Sequence, residues 1–130
     1  MFIPETIGAI TWLHLNEKNV KKIQCGLVAT CLGDRGHLTY KKTRNDNTII
    51  DKIVEEVLEE SNEKYEIVDF FPYGSNERQF SSPGFNLFIG SLARTLYARF
   101  PEYHTSADNL DFVKKENLEN SFLKFLSIIS

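Results

Sequence analysis

His104 stands in "FPEYHTSADNLDFV", residues 100–113, with Asp108 and Asp111 within the next seven positions. A neutral imidazole nitrogen binds zinc, and the ring's other nitrogen needs an orienting acceptor, a place open to either aspartate. A loop histidine with routine hydrogen bonds fits the same pattern, with Asp108 capping the turn that follows. Glu5 follows Pro4 at a strand end and precedes a helix. A carboxylate there suits a general base or a metal ligand, and equally suits the positive end of a helix dipole. Asp34, in the turn "GDRG", is a third candidate metal ligand, though aspartate is also a common turn former. "SNERQ" sets Ser75, Asn76, Glu77, Arg78 and Gln79 in a row. Arg78 can clamp a substrate carboxylate or phosphate there, or pin its own loop. His14 and His37 have no HExxH spacing and read as structural. The chain has no Gly-rich phosphate loop and no G-x-S-x-G elbow.

Composition narrows the classes. The chain has 130 residues, 42% hydrophobic and 25% charged, with a net charge of −3. That suits one globular domain with a modest core. Without a dense Lys/Arg cluster, nucleic acid is not an expected partner. No apolar run reaches the roughly 18 residues of a membrane helix, and "MFIPETIG" is not a secretory signal. Cys25 and Cys31, the two cysteines, lie six apart in what reads as one strand. They are expected to be buried, reduced thiols on one face, as in a cytoplasmic protein.

The elements that must position the candidates follow from periodicity. "MFIP" reads as a short strand, and "ETIGAITWLHL" as a helix with Ile7, Ile10 and Leu13 or His14 on one side. Gly8 weakens that helix by about 1 kcal/mol, which close packing against a strand would explain. "NEKNVKKI" reads as an exposed helical turn. "CGLVATCLG" is expected to be a strand covered on both faces, and "HLTYKKT" to pair back onto it antiparallel. "NDNT" introduces the clearest helix, with Ile49, Ile50, Ile53, Val54, Val57 and Leu58 as its stripe. "YEIVDF" and "FNLFIGSLAR" are further strands, with a long Gly/Pro/Ser-rich loop from 71 to 84 between them. Leu118, Phe122, Phe125, Leu126 and Ile129 mark one apolar stripe on a closing helix. Interleaved helices and strands predict an α/β domain with a mixed, mostly parallel sheet flanked by helices. Ligands in such sheets gather beyond the carboxyl ends of strands. Glu5, Asp34, Ser75–Gln79 and His104 are expected at those ends.

"FIPETIGAITWL", "GLVATCLGDRGHLTYKKTR", "YGSNERQFSSPGFNL" and "EYHTSADNLDFV" together resemble the aminopeptidase-like domain of the zinc-exopeptidase superfamily. Its members often carry a winged-helix domain and are commonly named for polysaccharide biosynthesis. The resemblance covers nearly the whole chain, in order. It implies a hydrolase that cleaves peptide or amide bonds with one or two zinc ions at the carboxyl edge of a mixed sheet. It implies that His104 is a metal ligand with Thr105 and Asp108 beside it. It makes Glu5 the base or a ligand, where relatives have paired glutamates. The strand near Thr30 lacks the usual ligating aspartate, with Asp34 displaced by a few residues. Ser75, Asn76 and Glu77 replace a Ser-Asp-His-like motif. An early histidine and aspartate of the family have no counterpart here.

Residues 1–130 are therefore expected to be a single domain truncated at both ends, resembling the C-terminal half of the family's domain. The isolated chain is expected to bind zinc weakly and to be inactive. In the complete domain the substrate would be a small peptide-like or amino-sugar compound, and exposed apolar ends suit homo-oligomers. The departures from the family also fit a non-catalytic binding or scaffolding domain that keeps the fold.

Overall fold

A computed structural model describes residues 3–130. The elements run α1 (Ile7–Leu15), α2 (Glu17–Val20), β1 (Cys25–Ala29), β2 (Leu38–Lys41), α3 (Ile49–Glu60), β3 (Tyr65–Val68), α4 (Glu77–Phe80), β4 (Phe88–Ala93) and α5 (Lys115–Ile129). The strands form one sheet in the order β1-β4-β2-β3. β1 lies parallel to β4 and β2 parallel to β3, while β2 and β4 run antiparallel. This is the mixed, mostly parallel α/β sheet that the sequence predicts. The expected hairpin between β1 and β2 is corrected: β4 lies between them. The "MFIP" strand falls partly outside the described residues, since Met1 and Phe2 are not described, and Ile3 and Pro4 belong to no strand.

Alternation along each strand divides the molecule into layers. Leu38 and Tyr40 of β2 and Leu92 of β4 face α3 and α5, packing with Ile50, Val54, Leu58 and Ile128. Ile89 and Val28 face the other way, onto Ala9, Leu13 and Phe80 of α1 and α4. Ala93, Leu96 and Tyr97 gather Cys31, Phe71 and Tyr103 on that second side. Helix α3 follows its sequence pattern: Ile50, Val54 and Leu58 recur every four residues and are buried, while Ile49 is exposed. Each of those three contributes about 1.5–3 kcal/mol by leaving water.

Two helices turn differently from the expected orientation. On α1, Ala9 and Leu13 face the core, and Ile7 and Ile10 face outward. Gly8 is tight against Pro4 and Ile3 of its own chain, 2.8 and 2.9 Å from where a Cβ would stand, rather than against a strand. On α5, Ser121 and Ile128 are buried, and Leu118, Phe122, Leu126 and Ile129 are exposed. The reason is Arg94, at the end of β4. Its guanidinium donates to Ser121 Oγ, the Asn117 carbonyl, Asn120 Oδ1 and the Gly36 carbonyl. Ser121 in turn donates to the Leu32 carbonyl. The polar row of α5 therefore faces the sheet end, which forces the apolar row outward.

Asp51 fastens α3. It is buried and accepts from the Tyr40 hydroxyl, from the Thr43 and Thr48 backbone N–H groups, and from both threonine hydroxyls, all at 2.7–2.8 Å. The bond to the Thr48 N–H is half of a capping box. Burial alone would raise the Asp51 pKa, but the hydrogen bonds outweigh it and hold the group below the usual carboxylate range. A lowered folded pKa gives stability that is present above the unfolded value of about 3.9 and is lost as pH falls through the folded value. Asp51→Ala is expected to lower stability by about 2–4 kcal/mol at pH 7. In urea melts taken from pH 7 to pH 2, the variant should lose less stability on acidification than the native chain.

Candidate functional site

Glu5 is presented by a strained turn. Thr6, which follows it, has φ 59° and ψ −69°, and the Ile7 N–H donates to the Glu5 carbonyl at 2.6 Å. This is a γ-turn of the rare positive-φ hand, and it is held by a β-branched residue for which positive φ is disfavoured. Strain of this kind persists only when the surroundings impose it, and it concentrates at functional sites. Asn76 supplies the restraint: its Oδ1 accepts from the Thr6 N–H at 2.7 Å. The helix α1 begins on this turn and leaves the Glu5 carboxylate in solvent.

His104 also has positive φ, at 59°. Its exposed ring stacks on Tyr103 with centroids 4.0 Å apart. Thr105 closes the next turn, donating to the Glu102 carbonyl at 2.8 Å and accepting from the Ala107 N–H at 3.2 Å. Asp108 is exposed, and its N–H bonds the Thr105 carbonyl. Burial raises the Tyr103 hydroxyl pKa, and the Glu5 charge, which reaches this segment, adds to it. Burial raises the Cys31 thiol pKa too, with further repulsion from Asp34, Asp108 and Glu5. The Glu5 charge thus acts on both Tyr103 and Cys31, and the Asp108 charge on Cys31, which puts these groups on one side of the domain.

Asp34 has a different setting. It is buried, with Oδ1 accepting from the Gly36 N–H and the Thr95 hydroxyl and Oδ2 from the Thr95 N–H. Its carboxylate braces the turn after β1 against the end of β4. The two cysteines are free but do not share a face. β1 ends at Ala29, Cys31 turns to φ 48°, and it joins the opposite cluster from Cys25. His14 is exposed at the end of α1, and His37 lies 3.9 Å from Glu66.

The "SNERQ" segment splits by depth. Ser75 and Glu77 are buried, Asn76 bonds Thr6, and Arg78 and Gln79 line a separate cavity with Arg44. Glu77 pairs with Lys41 at 2.6 Å, with both side chains fully buried. Lys41 is not among the candidates chosen from the sequence, yet it is a heavily connected cation on the molecule's second side. Its ammonium donates to the Phe71 and Tyr73 carbonyls and the Tyr97 hydroxyl at 2.9–3.0 Å. It also lies 4.1 Å from the centre of the Phe71 ring. Those three acceptors use its three hydrogens, so the contact with Glu77 is first of all Coulombic. Tyr97 donates in turn to the Tyr73 carbonyl, and burial beside Glu77 raises its pKa. Gly74 is obligatory in this cage: its φ is 124°, and a Cβ would overlap the Tyr97 hydroxyl. The detectable signal was parity. With Leu38 and Tyr40 on one face of β2, Thr39 and Lys41 must lie on the other, which helices also cover.

A zinc site needs three or four donors. Among the described residues, no group of three His, Cys, Asp or Glu side chains comes together to hold a metal ion. The described residues do not by themselves fit a zinc ion. Among them, no helix is long and apolar enough to cross a membrane.

The layers and this edge define an aminopeptidase-type fold. The chain superposes on a zinc aminopeptidase from Bacillus subtilis with a TM-score of 0.76 at 15% identity, covering 95% of this chain and 32% of that one. An aminopeptidase from Aneurinibacillus gives 0.77 at 17% identity, over 95% and 29%. At such identities the likeness concerns the fold. The chain belongs to the family described as a domain of unknown function, DUF4910, which matches residues 1–130. A Clostridium acetobutylicum protein, named for polysaccharide biosynthesis with an aminopeptidase-like domain, is 54% identical over 129 residues. That match takes in 99% of this chain and 30% of the relative's length. A crystal structure of a Clostridium acetobutylicum protein described as a peptidase gives a TM-score of 0.94 at 55% identity, over 97% of this chain and 30% of the other.

Removing one member of the buried pair strands the other. Lys41→Met is expected to destabilise the protein by about 3–5 kcal/mol, measured by urea denaturation. Combining it with Glu77→Leu should recover a large part of that loss.

Proposed function

We propose that this chain is part of a zinc-dependent aminopeptidase-like hydrolase acting on a small peptide-like or amino-sugar substrate. The observation that carries this reading is the γ-turn at Thr6, strained and restrained by Asn76, directly after an exposed carboxylate whose charge reaches Tyr103, the ring on which His104 stacks. In this reading Glu5 accepts a proton from a water attacking a carbonyl and returns it to the leaving amine. His104 is an exposed imidazole available as one metal ligand, oriented by its stacking on Tyr103. The remaining donors would come from outside the described residues, in a protein whose relatives are over three times as long. The homologues' names and the shared fold support the class of reaction.

A non-catalytic binding domain with the same fold is the competing reading, favoured by the lack of a three-donor group among the described residues. Metal analysis of the protein at its full natural length, with hydrolysis of aminoacyl p-nitroanilides, separates the two. The hydrolase reading expects stoichiometric zinc after dialysis and turnover. It also expects Glu5→Gln to lower kcat by about 100-fold or more while zinc is retained, and His104→Ala to lower the zinc content. A full-length protein with neither metal nor turnover is a scaffold. The 130-residue chain alone is expected to release zinc on dialysis.

A further inference from the structure

Arg78 and Gln79 open onto a cavity that shares no lining residue with the Glu5–His104 edge. It has a volume of about 420 Å³ and is walled by Arg44, Arg78, Gln79 and Ser82, with Phe70 among its apolar residues. No Asp or Glu lines it among the described residues. Two guanidinium side chains border one space with no carboxylate among its described lining, so an anion entering it meets positive charge. Arg44 spends one donor on the Ser81 carbonyl at 3.2 Å. The Arg78 Nε is buried and has no hydrogen-bond partner among the described residues. Buried donors without acceptors are rare and need an explanation. Arg94 and Arg99 show the contrast, since both guanidiniums find acceptors within the chain.

The backbone beneath both arginines is fixed. Arg44 follows Thr43, whose N–H and hydroxyl are both held by Asp51. Arg78 follows Glu77, which is locked on Lys41. Two buried charge networks thus hold the stems, while the guanidinium heads keep donors in reserve. Forked donors of this type match the oxygens of a carboxylate or phosphate. We infer that this cavity is a binding site for an oxyanion, a phosphate or carboxylate group of a small molecule, with Phe70, Pro72 and Pro83 as its apolar lining.

Isothermal titration of the full-length protein with inorganic phosphate, and separately with acetate, tests this. Saturable binding of phosphate alone assigns a phosphate group, and binding of both anions extends the site to carboxylates. In either case Arg78→Gln should weaken the affinity by about tenfold or more, Arg44→Gln should weaken it as well, and Arg78→Lys should restore part of it. Rising sodium chloride should weaken binding. Absence of binding by both anions overturns the inference, as does binding that neither glutamine variant changes. Thermal melts of the variants, expected at the native midpoint, exclude loss of folding as the cause. The result does not depend on turnover, so it stands or falls apart from the hydrolase reading.

Discussion

One ammonium group holds together the second side of this domain. Lys41 reaches from the end of β2 into a space with no water contact and meets the 71–73 loop, Tyr97 and Glu77 of α4. Stripping water from an ammonium and a carboxylate costs several kcal/mol for each ion, recovered only when partners stand in good geometry. Apart from Glu77, those partners sit outside helices and strands, so the demand of the charge becomes the definition of the loops. Gly74 must lack a side chain, and Tyr97 must place its hydroxyl between the ammonium and a carbonyl. From Glu77 the constraint passes to neighbouring Asn76, then to the Thr6 N–H, and so to the turn that carries Glu5.

The same device appears twice more. Asp51 fixes the start of α3 against β2, and Arg94 fixes α5 against the end of β4. Hydrophobic burial is non-directional and tolerates sliding, whereas a hydrogen-bonded charge does not. A small apolar core therefore supplies compaction, and three polar anchors set the register of what packs on it. On α5 the anchor overrides the hydrophobic pattern of the helix and leaves Leu118, Phe122, Leu126 and Ile129 outside.

What could be read from the sequence was what local spacing encodes. The Ile50–Val54–Leu58 row fixes α3 and its inner face, and the apolar runs at β1, β3 and β4 announce strands. The position of β4 between β1 and β2 depends on pairing between distant segments, which no local pattern records. The outward turn of α5 was hidden because its cause, Arg94, lies on another element. At the candidate edge, residue types were legible and geometry was not. Glu5 and His104 stand out by sequence, but the γ-turn at Thr6 follows from Asn76, a distant residue. Asp34 shows the converse: a carboxylate at a strand end whose oxygens all serve the backbone and Thr95.

Cys31 illustrates what the edge does to its own neighbours. Burial and the repulsion of Asp34, Asp108 and Glu5 keep its sulfur protonated, and the thiolate is the form that peroxide and electrophiles attack. A sulfur among exposed polar groups is usually the first casualty of oxidative stress. Here burial and the charge of those carboxylates hold the proton on, leaving a chemically quiet cysteine on the side of the domain that carries Glu5.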